Sequence, residues 1–317
     1  MLDVVTIGES MVLFTPDSNG MMRFSNQFTR KYGGAESNVA IGLSRLGHRV
    51  GWVSKVGEDE FGKGMVAFIK GEGVDVSNVT YSNDAPTGLY FKEFRREGEI
   101  NVFYYRKESA ASKMSSVDLD SSYIANAKYL HITGITPALS ESCYDMIFDV
   151  IKIAKENGVK VVFDPNLRRK LWGEEFARET LLKIASLADI VLPGIEEGYF
   201  MFGKKTPKEL GQSFISLGAK VVVLKVGAEG AYYFTKDDEK RVTGFPVGRV
   251  IDPVGAGDGF AAGFLSGLLH NLTLEESVKR ANAVGALVTM VSGDVEGLPE
   301  KYEIDRLLSM NNTDVDR

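Results

Sequence analysis

Residues 252–259 read Asp-Pro-Val-Gly-Ala-Gly-Asp-Gly and run straight into two apolar rows at spacing four, Phe260/Phe264/Leu268 and Ala261/Leu265/Leu269. That spacing predicts an amphipathic helix fed by a glycine-rich turn. The first amides of such a helix have no intrahelical acceptor, and the helix dipole adds positive character, so the turn is an anion site suited to phosphate. Gly255 and Gly257 lack side chains, which lets the backbone approach a phosphoryl group closely. Asp258 then sets a carboxylate where an anion should bind. That is unfavourable unless it acts as a general base toward an attacking hydroxyl. The competing role is helix N-cap, which aspartate fills well. The segment is not a P-loop, because no Gly-Lys-Ser/Thr follows the glycines.

Two more glycine turns stand beside apolar runs. Lys225-Val226-Gly227-Ala228-Glu229-Gly230 follows Val221–Leu224, and loops after parallel strands at a switch point bind nucleotides. Tyr32-Gly33-Gly34-Ala35-Glu36-Ser37-Asn38-Val39-Ala40 leads into a helical pattern, with Asn38 able to hydrogen-bond hydroxyls. A plain structural turn and cap would explain that segment almost as well.

The elements that must hold these turns are legible in the patterning. Apolar runs at 159–164, 189–192 and 221–225 each follow a helical stretch, at 141–157, 174–187 and 207–217. Continuous apolar strands between helices predict an α/β fold with a doubly wound, mostly parallel sheet, ahead of a regular (β/α)₈ barrel. Residues 87–107 break the rhythm. Two β-rich runs around Gly98 predict an antiparallel hairpin, and a third strand is expected near 11–15. A hairpin centred on Gly98 sets Tyr90 opposite Arg106. Tyr104 and Arg106 share a parity and so a strand face. The expectation is a single domain over 1–317 with a small β-sheet lid formed by about 11–32 and 87–110, an ordinary edge hairpin being the alternative. Residues Asn311–Arg317 are polar and expected to fray.

Composition closes several doors. The chain has 317 residues, 37 Lys+Arg against 43 Asp+Glu, and a net charge of -6, which argues against a nucleic-acid partner. A hydrophobic share of 44% excludes general disorder. The single Cys143 excludes an intrachain disulfide, and it reads as a small buried hydrophobe. His48, His131 and His270 lie too far apart in sequence to suggest a metal cluster. No run of about 18 apolar residues and no secretory leader is visible, so the expectation is a cytoplasmic protein with no membrane partner.

Taken together, the Gly33–Ala40 and Asp252–Asp258 segments, more than 200 residues apart, resemble the two signatures of the pfkB (ribokinase-like) carbohydrate kinases. The resemblance covers nearly the whole chain. It implies a ribokinase-like fold with a β lid, and ATP-dependent phosphorylation of a sugar hydroxyl. It implies Asp258 as the base, with Gly255, Ala256 and Gly257 as the anion hole. It gives Gly33, Gly34, Asn38, Tyr90, Tyr104, Arg106, Arg168, Asp258 and Asp294 to the sugar, and Asn166, Lys225, Gly227, Gly230, Gly255, Gly257 and Asn282 to ATP. Glu197 matches a glutamate at the Mg²⁺–phosphate site, reached through water, although Gly194 stands where the family has asparagine. Asp252 matches a position near a monovalent cation in potassium-activated relatives. Gly88-Leu89-Tyr90, Phe103–Arg106, Gly134–Leu139 and Asp164–Arg168 are similar to members that act on a 2-keto-3-deoxy sugar acid. A guanidinium at Arg106 or Arg168 suits a substrate carboxylate. Other sugars (fructose or 5-dehydro-2-deoxygluconate) and a non-catalytic sensor on the same fold are the alternatives. An NAD-dependent oxidoreductase is disfavoured, because no Gly-x-Gly-x-x-Gly opens the first strand–helix unit. A homo-oligomer paired through the lid is expected.

Overall fold

The computed structural model describes residues 1–96 and 99–313. The turn at Gly98 and the tail beyond 313 lie outside the described residues. Residues 311–313, expected to fray, continue the last helix.

In chain order the elements begin with β1 (Leu2–Ile7), β2 (Met11–Pro16), β3 (Phe28–Gly33), α1 (Ala35–Arg45), β4 (Val50–Gly57), α2 (Glu60–Gly71) and β5 (Val79–Ser82). They continue with β6 (Leu89–Arg96), β7 (Glu99–Tyr105), α3 (Ser121–Ala125), β8 (Ala127–Thr133), α4 (Glu141–Glu156), β9 (Lys160–Asp164) and α5 (Glu174–Leu187). Then come β10 (Ile190–Val191), α6 (Ile195–Phe202), α7 (Pro207–Leu217), β11 (Val221–Lys225), β12 (Ala231–Phe234) and β13 (Glu239–Val242). Helices α8 (Ala256–Leu269), α9 (Leu274–Val288) and α10 (Lys301–Thr313) complete the fold.

Nine strands form one sheet in the order β13-β12-β11-β10-β9-β8-β1-β4-β5. All neighbours from β11 to β5 run parallel, and only β12 runs against them, pairing antiparallel with both β11 and β13. Alternation along the strands fills both faces. Val5, Leu130, Val161, Phe163 and Val222 pack with α4, α5 and α7, while Val4, Tyr129, Val162 and Val223 pack with α1, α8 and α9. The chain lays strands to one side of β1 through β5 and then crosses to β8 on the other. The switch point is therefore the crevice beyond the carboxyl ends of β1 and β8, where open α/β sheets bind ligands.

The second sheet has the order β3-β2-β6-β7. Its hairpin register differs from the expected one: Tyr90 stands opposite Tyr104, not Arg106. The pairs from Leu89 to Phe94 lie about an axis one residue toward the N-terminus of the expected one, and a shift between Phe94 and Arg96, which leaves Arg95 unpaired, accounts for half of that displacement. Arg106 falls just past the end of β7.

Candidate active site

The loops leaving β1, β8, β9 and β11 converge with α8 on a cavity of about 380 Å³. Gly33, Gly34, Asn38, Tyr90, Tyr104, Arg106, Arg168, Asp258 and Asp294, all assigned to a sugar from the sequence, line it. A neighbouring cavity of about 420 Å³ is lined by Gly227, Gly230, Ala256 and Asn282 and walled by Phe245, Val247 and Phe260. Lys225 and Gly257 line both. The two spaces therefore meet at the start of α8, and a group passing from one to the other crosses that helix end.

The α8 N-terminus is open. Its N-cap is Gly255, with φ of 84° and no side-chain cap bond. The left-handed φ strains any other residue, and a Cβ there would meet the Asp294 carbonyl oxygen at 2.8 Å. Asp258 is the third helical residue and caps nothing. Its Oδ2 accepts from Asn38 Nδ2 at 2.8 Å, and its Oδ1 from Asn166 Nδ2 at 3.4 Å. Two amides thus hold the carboxylate in one orientation. Burial pushes this carboxyl up to about 7; Asp164 and Asp294 add to the rise, while Asn38 and Arg168 oppose it. A carboxylate poised near neutrality, held still and facing a cavity is suited to taking a proton from a hydroxyl.

Several expected ligands already have partners. Asn38 and Asn166 each give an amide hydrogen to Asp258. Asn282 lines the second cavity, and its Nδ2 ties down the Val242 and Thr243 carbonyls. Arg106 is buried, with Nε 2.7 Å from Glu9 Oε2 and a second nitrogen on the same carboxylate. It therefore enters the cavity already neutralised. Arg168 is exposed at the rim, and its side chain makes no hydrogen bond or ion pair among the described residues. Tyr90 stacks on Tyr104 at 5.8 Å and donates to Asp294 at 2.7 Å.

Three residues at the site received no role from the sequence, Asp164 having appeared only as the start of the Asp164–Arg168 segment. Glu9 anchors Arg106 and accepts from Ser109 Oγ at 2.5 Å. Its signal was position: an acidic residue directly after the first strand, at the mouth of the switch point. Lys92 lies 2.6 Å from Asp252 and 2.9 Å from Asp294. It shares the parity of Tyr90 and Tyr104, so it had to face inward. The Asp252 carboxylate, read as matching a monovalent-cation position, holds this ammonium instead. Asp164, at the end of β9, binds Lys225 Nζ at 2.7 Å. Burial opposes the Lys225 charge, but Asp164 and Glu197 hold its pKa above the usual lysine value. A lasting cation beside the α8 amides suits phosphate.

The fit to MgATP follows from these contacts. The apolar cavity, the uncapped helix end and Lys225 fit a nucleoside triphosphate. Glu197 accepts backbone amides from Gly194 at 2.7 Å and Leu167 at 2.9 Å. Burial and Asp164 raise its pKa, with Lys225 opposing. Among the described residues no three His, Cys, Asp or Glu groups form a metal cage. Glu197 and Asp164 therefore fit an Mg²⁺ carried on phosphates and approached through water. Cys143 is buried, and burial pushes its thiol up to about 11, so it is no nucleophile at neutral pH. No described helix is long and apolar enough to cross a membrane.

Comparison with known proteins gives a concordant picture. The family model for pfkB family carbohydrate kinases matches residues 1–301. A 2-dehydro-3-deoxygluconokinase of Bacillus subtilis is 44% identical over 314 residues, covering 98% of this chain and 97% of its own. A probable chloroplastic fructokinase of Arabidopsis thaliana is 35% identical, covering 96% of this chain and 82% of its own. The crystal structure of a putative E. coli ribokinase II in complex with ATP and Mg²⁺ superimposes with a TM-score of 0.90 at 27% identity, covering 98% of this chain and all of that one.

Proposed function

The chain belongs to the pfkB family of carbohydrate kinases, and from that premise we propose that it transfers the γ-phosphoryl group of ATP to a primary hydroxyl of a sugar acid, 2-keto-3-deoxygluconate (2-dehydro-3-deoxygluconate), in the cytoplasm where ATP is held. The observation that carries the choice of an acid is Arg168. It is a guanidinium with no protein partner, at the rim of the same cavity as Asp258. A neutral sugar has no use for it, whereas a carboxylate accepts its two parallel N–H groups. Arg106, bound to Glu9, is assigned to shaping the wall. The relative from Bacillus subtilis favours the same substrate.

In this scheme Asp258 accepts the hydroxyl proton as the oxygen attacks in line. The amides of Gly257 and Asp258 and the Lys225 ammonium stabilise charge on the transferring group, whereas the Ala256 amide, expected in the anion hole, donates to the Pro253 carbonyl at 3.3 Å. Bound Mg²⁺ supplies further neutralisation of the phosphates. Asn38 and Asn166 keep Asp258 aimed. The second sheet, which bears Tyr90 and Tyr104, serves as a cover that excludes water and spares ATP from hydrolysis. Its opposite face carries Phe14, Phe28, Phe91 and Tyr105 in mutual contact, with Tyr105 64% exposed. That face suits pairing with a second copy of the chain.

The test is ADP release from MgATP with 2-keto-3-deoxygluconate, gluconate, fructose and ribose side by side. A clear preference for 2-keto-3-deoxygluconate is expected. Preference for fructose would reject the role of Arg168 and favour the fructokinase alternative.

The raised Asp258 pKa also sets a pH profile. The base must be ionised, so kcat/KM for the sugar is expected to rise with pH through about 7 and then level off. Stability runs the other way. A carboxyl whose folded pKa is raised favours the fold below its unfolded pKa and loses that contribution as pH climbs through about 7. A rate that stays flat from mildly acidic to mildly basic pH would remove Asp258 from the base role.

A further inference from the structure

Lys92 is 1% exposed in the middle of β6, yet it is charged. Its ammonium touches Asp252 and Asp294, which come from two different loops. Asp252 Oδ1 also accepts the Val254 amide at 3.1 Å and its Oδ2 the Gly293 amide at 3.2 Å. Asp294 Oδ2 takes the Tyr90 hydroxyl at 2.7 Å. Burial works against the Lys92 charge, but the two carboxylates hold its pKa above the usual lysine value. One ammonium therefore ties together β6, the turn that begins at Asp252 and the loop around Asp294.

That junction governs the anion-binding turn. Asp252 lies three residues before the Gly255 cap, and the Asp294 backbone packs directly behind Gly255. Two buried carboxylates this near one another repel unless a cation lies between them. Without it the two loops separate, and the α8 amides and Asp258 shift with them.

We propose that Lys92 is a positioning residue for phosphoryl transfer, a built-in counter-ion that fixes the anion-binding turn and makes turnover independent of any free monovalent cation. This deepens the kinase assignment and rests on it. The chemistry is that of a tethered ammonium occupying a place a small free cation could also fill. Lys92→Ala should empty a side-chain-sized space facing two carboxylates, which NH₄⁺ or ethylammonium can enter. Lys92→Met fills the same space without charge.

The experiment compares the full-length enzyme in tetramethylammonium buffer with and without KCl, NH₄Cl or ethylammonium chloride at constant ionic strength. The wild-type rate and melting temperature should be the same in every salt. Lys92→Ala should lose roughly 10²-fold in kcat, the scale of a misplaced catalytic geometry, with a smaller change in KM for ATP. NH₄⁺ or ethylammonium should restore rate and raise melting temperature saturably. Lys92→Met should lose as much and regain nothing. Activation of the wild type by K⁺ or NH₄⁺ overturns the proposal, as does a folded Lys92→Ala that keeps its rate or is rescued by no amine. If Lys92→Ala fails to fold, the salt comparison on the wild type decides alone. A wild type that phosphorylates no sugar in any salt rejects the kinase assignment itself, which is a distinct outcome.

Discussion

Asp258→Asn is expected to lower kcat by roughly 10²- to 10⁴-fold, the contribution of a general base, while the protein stays folded. The replacement is nearly isosteric and keeps an acceptor for Asn38, whose 2.8 Å bond is the shorter of the two. It sets one amide against the other at the longer 3.4 Å contact with Asn166. Against that small loss stands a gain, because a buried negative charge disappears from beside Asp164 and Asp294. Melting temperature above pH 7 should therefore hold or rise as activity falls. KM values for ATP and sugar should change little, since the missing function acts on the proton and not on binding. Near-normal turnover would sink the base assignment. A collapse of both rate and melting temperature would instead mark Asp258 as structural.

Arg168→Leu is the second large effect. Two charge-assisted hydrogen bonds to a substrate carboxylate are each worth about 1.5–3 kcal/mol. Exposure at the rim places the sum toward the low end, so kcat/KM for the sugar acid should fall roughly 10²-fold or more. The loss should fall chiefly on acidic sugars, while losing the charge that opposes the Asp258 rise should shift the pH profile of every sugar upward; melting temperature should hardly move, because the Arg168 side chain makes no hydrogen bond or ion pair among the described residues. Arg106→Leu gives the contrast. It leaves Glu9 as an unpaired buried carboxylate, which costs about 3–5 kcal/mol of stability, and every substrate should suffer alike. Equal losses on fructose and on the acid in Arg168→Leu would remove the carboxylate contact.

The parallel sheet and its helices were legible because each strand is short, apolar on both faces and separated by a helical period. The Asp252–Asp258 turn was legible because glycines and an aspartate before an apolar helix leave few physical readings. What escaped was pairing across distance. The hairpin register depended in part on an irregularity at Arg95 that no periodicity announces. The partner of Arg106 was Glu9, 97 positions away, and nothing local distinguishes an arginine that will meet a carboxylate of its own chain from one left for a ligand. Lys92 looked like one more strand lysine. Only its shared face with Tyr90 and Tyr104 set it toward the interior.

The site is also stitched across nearly the whole chain. Asn38 reaches Asp258 over 220 positions, and Lys92 reaches Asp294 over 202. Helices α8 and α9 cover the sheet face that holds Val4, Trp52, Val162 and Val223. A chain still emerging from the ribosome and stopped short of α8 has β1, β4 and β8 available to pair, but of α1, α8 and α9 only α1 is there to cover that face. Such a chain can hold neither phosphate nor proton acceptor, and it offers a broad apolar surface in their place. During synthesis that surface stays open to non-native contacts until the last helices arrive. Recovery of activity on refolding should follow the slow closure of these distant contacts, with no partly active species before it.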